Sequence, residues 1–148
     1  DEDCDRTDIS KLAKRDEKYR TSLLNFRNKF DEIKSGIHDA ISEKIRHGQV
    51  VIFGAGHLAI TFIHLFDLKD IISFVIDDDP NKCGKFIPGT NIEIRSSESL
   101  VSEKIETCFL SLSPESEAKL LDTKKDLFQS IPNVTSIFPR KFVTKELK

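Results

Sequence analysis

The residues of this sequence best suited to hold a charged ligand are Gly54, Ala55, Gly56 and His57. They stand in the run Val50-Val51-Ile52-Phe53-Gly54-Ala55-Gly56-His57-Leu58-Ala59. The glycines and Ala59 match G-x-G-x-x-A, a pattern that cradles phosphate between a strand and a helix. Gly54 would allow the turn, Gly56 would let a phosphate approach the backbone, and Ala59 would let helix and strand pack closely. Exposed N–H groups at the helix start favour an anion. His57, following the second glycine, could donate to that phosphate or act as a base. The plainer alternatives are that the glycines only permit a sharp turn and that His57 is a surface residue of a first helical turn.

A second group lies about twenty residues on, where a ribose-binding acid is expected. The apolar run Ile71-Ile72-Ser73-Phe74-Val75-Ile76 ends in Asp77, followed by Asp78, Asp79, Pro80, Asn81, Lys82, Cys83 and Gly84. Asp77 or Asp78 would face a ribose, base or sugar. Lys82 would add positive charge near phosphates, or remain a solvated loop lysine. Three acids in one loop supply few converging metal ligands, so no metal is assigned. Ser111 and Ser113 end another apolar run. Their hydroxyls could face the same ligand, or Ser113 could cap a helix with Pro114 in its first turn.

No complete catalytic set is present. His38, His47, His57 and His64 have no H-E-x-x-H spacing and none adjoins a cysteine, and there is no G-x-S-x-G elbow. Cys4, Cys83 and Cys108 form no C-x-x-C pair, which suits a reducing, cytoplasmic compartment. No catalytic residue is assigned, and the chain alone is read as not catalytic.

These residues need elements to position them. Residues 1–8 read as a linker with nothing to bury, and residues 9–48 as a helical segment without proline. Tyr19, Leu23, Phe26, Phe30, Ile33 and Ile37 recur at spacings of four and three, and Ile41 and Ile45 continue the stripe. That seam either packs on the core or, since the spacing is also heptad-like, pairs with another domain or with a second chain as a homodimer. Gly36 marks a kink or break. Residues 49–148 read as an α/β domain: strands near 50–54, 71–77, 92–94, 106–113 and 133–138, with helices near 57–67, 97–104 and 115–130. The alternation predicts a doubly wound, Rossmann-like, mostly parallel sheet of about five strands behind a long N-terminal helix. Lys141 to Lys148 form a charged tail.

At 148 residues the chain can build one real core. Its net charge is −2, with basic residues dispersed, so nothing points to nucleic acid or acidic lipid. The apolar runs are far below the ~20 residues of a membrane span. The acidic, polar start is no signal peptide. The lack of methionine suggests a piece of a longer protein.

The stretch from Phe74 to Ile94 carries Asp77, Pro80, Lys82, Gly84, Pro88, Gly89 and Thr90 in the order D-x-x-P-x-K-x-G-x-x-x-P-G-T-x-I-x-I. With the Gly54-Ala55-Gly56 turn and the preceding helix, this resembles the C-terminal domain of nucleotide-sugar C-methyltransferases, S-adenosylmethionine-dependent enzymes of deoxysugar biosynthesis. The resemblance covers residues 20–100 well and the rest loosely. It implies a Rossmann-like domain that helps hold a nucleotide-diphosphate sugar beside a missing methyltransferase domain, with S-adenosylmethionine and zinc belonging to the absent domains and no cofactor in this chain. The sequence departs from the family in having Leu58-Ala59 where Lys-Gly is frequent, and no tryptophan-containing segment after the fourth strand. A looser resemblance is to the N-terminal nucleotide-sugar-binding domain of sugar acyltransferases. The competing readings are an NAD-binding or redox-sensing module and an assembly domain acting through the 19–45 seam.

Overall fold

The structure, a computed structural model, describes residues 6–138, with side chains from Lys14 onward. The expected linker at 1–5 and the charged tail at 141–148 lie outside the described residues. The chain divides into two compact units, one ending at Ile37 and one beginning at His38.

Helix α1 (Arg6–Lys44) dominates the first unit. It takes in Arg6, Thr7 and Asp8, assigned above to a linker, and it passes through Gly36 without a break. A lone glycine costs a helix interior only about 1 kcal/mol, too little to end so long a run of good helix formers. Tyr19, Leu23, Phe26 and Ile33 are exposed, and the rings of Phe26 and Phe30 stack at 6.4 Å.

The second unit is built on a five-stranded, wholly parallel sheet. Strands β1 (Gln49–Phe53), β2 (Phe74–Ile76), β3 (Ile94–Arg95), β4 (Ile105–Leu110) and β5 (Asn133–Ser136) lie in the order β3-β2-β1-β4-β5. Val51 pairs with Phe74 on one side and Cys108 on the other. The central strand is sheltered on both faces, which is why Val50 to Phe53 is a continuous apolar run rather than an alternating one.

Side chains of alternate strand positions go to opposite faces. Val51, Phe53, Phe74, Ile76, Cys108 and Leu110 meet Leu100 of α3 (Ser99–Ser102), Phe128 of α5 (Lys125–Gln129) and Ile131. The rings of Phe53 and Phe128 pack at 5.7 Å. On the other face lies α2 (His57–Leu65), whose Ala59, Phe62 and Ile63 are buried. Phe62 packs on Phe109 at 5.6 Å. The last turns of α1 belong to this unit: Ile41 is buried, and His38 Nε2 lies 2.6 Å from the Phe66 carbonyl oxygen.

The connection from β2 to β3 contains no helix. It is a self-bonded loop anchored by buried Ile87, with Phe86 and Glu93 forming an antiparallel bridge. The single helix expected over 115–130 is two, α4 (Pro114–Thr123) and α5, broken at Lys124. Lys124 Nζ reaches 2.9 Å to Ser97 Oγ and 2.7 Å to Asp78 Oδ2. This tertiary tie at the break is invisible to local helix propensity.

Candidate functional site

The sheet order reverses beside β1, so the carboxyl ends of β1 and β4 form the crevice where open α/β sheets take ligands. The glycine turn sits there. Gly54 has φ +103°, and a Cβ on it would stand 2.8 Å from Leu112 Cδ2 and 3.0 Å from Ser111 Oγ. Its N–H donates to the Ile76 carbonyl at 2.7 Å. Gly54 is therefore a requirement of the fold. Gly56 differs: its φ of −106° suits any residue, and a Cβ there would meet nothing within 4 Å. Open space beside the backbone is what an approaching phosphate needs. Helix α2 begins at the next residue with no side-chain cap on its leading N–H groups, which leaves donors and the positive end of the helix dipole directed at that space. Ala59 is fully buried, so a larger residue there would push helix from strand. His57 is exposed on the first helical position.

Asp77 reaches back to the turn from the end of β2. Its Oδ2 accepts the Ala55 N–H at 2.8 Å and Lys82 Nζ at 2.8 Å, and its Oδ1 accepts the Asp79 N–H at 3.0 Å. Burial alone would push this carboxyl up. The bonds from Lys82, Asp79 and Ala55 outweigh that and hold it below the usual carboxylate range. The same bond raises the Lys82 ammonium above its ordinary value, against a smaller opposing effect of desolvation. A carboxylate has about four lone-pair positions. Asp77 commits three, leaving one for a ligand hydroxyl, while Lys82 keeps two of its three donors.

Asp78 points elsewhere. Its Oδ1 accepts the Ser97 N–H at 2.9 Å and its Oδ2 pairs with Lys124. Burial raises this carboxyl too, but Lys124 and Ser97 hold it low. The clasp ties the loop after β2 to the α4–α5 break, beside a surface groove of about 460 Å³ lined by Ser97, Val101, Lys124 and Leu127. The role of Lys124 is not legible in the sequence. Nothing local marks it, because its partners lie 27 or more residues away.

The two serines separate. Ser111 is buried, with Oγ 2.5 Å from the Gly54 carbonyl oxygen and 3.1 Å from that of Phe53. Its proton fastens the turn to β4. Ser113 caps α4, accepting from the Ser116 N–H at 3.3 Å with Pro114 in the first turn. The structure thus brings Gly54, Ala55, Gly56, His57, Asp77, Lys82 and Ser111 to one strand end and commits Asp78 and Ser113 to neighbouring clasps. His64 Nε2 lies 2.9 Å from the Pro88 carbonyl oxygen, holding the loop after β2 against α2. Cys108 is buried and its thiol is pushed up to about 12 by desolvation, so it is no nucleophile. Among the described residues no group of three His, Cys, Asp or Glu could hold a metal ion, and no helix is long and apolar enough to cross a membrane.

The D-x-x-P-x-K-x-G-x-x-x-P-G-T stretch has a structural explanation in this geometry. Asp77 and Lys82 pair. The Gly84 N–H bonds the Ile94 carbonyl at 2.8 Å, and Thr90 Oγ1 donates to the Ile87 carbonyl while accepting the Ile92 N–H. The motif builds a loop that does the work of a crossover helix and delivers Asp77 to the glycine turn.

Comparison with known proteins agrees with this architecture. The family described as the C-methyltransferase C-terminal domain matches residues 6–139. A solved structure titled "Crystal structure of RSP in complex with beta-NADH" is similar in fold, with a TM-score of 0.50 and 14% identity. The similarity covers 76% of this chain and 57% of that one. No curated protein matches the chain.

Proposed function

The chain belongs to the C-methyltransferase C-terminal domain family, and from that premise we propose that it is the part of a sugar C-methyltransferase that holds a nucleotide-diphosphate sugar. The observation that carries this reading is the open backbone at Gly56 beside the uncapped start of α2, at the strand-order reversal. A diphosphate bridging those N–H groups would have His57 and the spare donors of Lys82 within its surroundings. The remaining acceptor position of Asp77 would take a ribose or sugar hydroxyl. Asp78, Ser111 and Ser113 would act through the loops they fasten. In this reading methyl transfer, with its S-adenosylmethionine and zinc, falls to a methyltransferase domain outside this chain. The free thiols of Cys83 and Cys108 fit a cytoplasmic setting.

A second reading, an NAD-binding module, draws on the neighbour whose title mentions beta-NADH. It is the weaker one. An acid that binds both hydroxyls of an NAD ribose needs free acceptors, and Asp77 has three of its four positions committed.

The test is a thermal-shift titration with thymidine, uridine, guanosine and cytidine diphosphate-sugars, NAD and S-adenosylmethionine, on the wild type and Gly56→Val. Ligand at about 100 times its dissociation constant stabilises by roughly 2.7 kcal/mol. A shift with one class of diphosphate-sugar, absent in a folded Gly56→Val variant, is the expected result. A shift with NAD alone would replace the first reading by the second.

A further inference from the structure

Helix α1 of the first unit presents an apolar seam. Tyr19, Leu23, Phe26 and Ile33 of α1 are 63%, 70%, 70% and 54% exposed. With Phe30 and Ile37 they repeat at alternating steps of four and three, the spacing of heptad positions a and d. Leu23, Phe30 and Ile37 take position a, and Tyr19, Phe26 and Ile33 take position d. The flanking positions e and g then hold Arg15, Arg20, Ser22, Arg27, Lys29, Lys34 and Gly36. Every charged residue flanking the seam is basic. Of the acids, Glu17, Asp31 and Glu32 stand on the far positions b and c, and Asp16 takes the a position that ends the apolar seam before Tyr19.

This distribution decides between occupants. In a parallel pair of copies, position g faces position e of the next heptad in the partner, setting Arg15 against Arg20 and Lys29 against Lys34. In an antiparallel pair, e faces e and g faces g, and again every charged pair is basic against basic. Such pairs oppose association. An anionic membrane would accept the basic flanks, but an interfacial helix usually has a broad apolar face. Here the apolar residues keep to a and d apart from Leu24 at position b, and the acids at b and c would be repelled from anionic lipid. We propose that the seam docks an amphipathic helix of a separate polypeptide, with apolar residues at its a and d positions and Asp or Glu at its e and g positions.

The probe is a synthetic peptide of about four heptads with Ile and Leu at a and d and Glu at e and g. Its control has Lys at e and g. Titration of the full chain, followed by fluorescence anisotropy of the labelled peptides, should show saturable binding of the Glu peptide that weakens with salt, and none of the Lys peptide. Arg20→Glu, Arg27→Glu and Lys29→Glu together should weaken the Glu peptide on the order of tenfold and create binding of the Lys peptide. Phe26→Ser should lose the Glu peptide. All these side chains are exposed, and circular dichroism confirms that each variant folds. Equal binding of both peptides, binding of neither, self-association that outcompetes the Glu peptide, or capture by phosphatidylserine vesicles in preference to it would overturn the proposal.

Discussion

Gly54 and Gly56 stand two residues apart in one motif and answer to different constraints. Alanine at Gly54 would have to adopt a positive φ and overlap Leu112 and Ser111. The expected cost is about 2–4 kcal/mol, seen as a lower urea midpoint. Alanine at Gly56 should leave that midpoint within about 0.5 kcal/mol of wild type, because its backbone is ordinary and its surroundings empty. Asp77→Ala should destabilise by about 1–3 kcal/mol, since it leaves the Ala55 N–H and Lys82 without their acceptor. A midpoint unchanged in Asp77→Ala would refute the clasp. The sequence made the glycines and Asp77 legible because their spacing repeats a backbone geometry. It could not divide Gly54 from Gly56, since the division depends on Leu112 and Ser111, which arrive from β4. Nor could it tell that Ser111 spends its proton on the turn itself.

At the scale of elements, the strands with unbroken apolar runs were readable, and β1 and β4 differ from expectation by a residue or a few at their ends. The expected strand 71–77 shrank to Phe74–Ile76, because Ile71 and Ile72 instead close the turn after α2 through N–H bonds to the Leu68 carbonyl. The expected strand at 92–94 begins only at Ile94, because the Ile92 N–H is spent on the Thr90 turn and Glu93 bridges Phe86. Lys124 illustrates what remains hidden. It is a good helix former that ends α4, and its charge is spent on Asp78 and Ser97. Lys124→Met should cost about 0.5–1 kcal/mol at neutral pH, a partly exposed pair being modest in worth. That difference should disappear in acid once Asp78 is protonated. A loss of stability independent of pH would mean that packing, not charge, is what Lys124 supplies.

For the molecule as a whole, these pairs set a stability profile. Asp77 and Asp78 have folded values below the ordinary 3.8. Their contribution is therefore present above about pH 4 and is lost as pH falls through the depressed folded values. Lys82 has a folded value above the ordinary 10.5. Its contribution is present below that ordinary value and is lost as pH rises through the raised one. Urea midpoints measured from pH 2 to pH 11 should be flat through neutrality and fall at both ends. In Asp77→Ala the alkaline fall should shrink, because Lys82 has lost the partner that raises it. The class of fold was legible because alternating strands and helices have few ways to pack. The exposure of Tyr19, Leu23, Phe26 and Ile33 was not, since their spacing is equally that of a core-facing helix.

The central strand of the sheet carries a consequence for how the chain is made. Strand β1 is completed by β4, and the bond that seals their ends joins Ser111 to Gly54, 57 residues earlier. At ~5–20 residues per second of synthesis, the most apolar segment of the chain waits on the order of several seconds with that side unpaired. The unpaired side is a strand edge of the kind that recruits other chains. During synthesis the protein is thus vulnerable at a segment that ends among its most buried, and a nascent chain stalled between β3 and β4 would present that edge to a chaperone or to other chains.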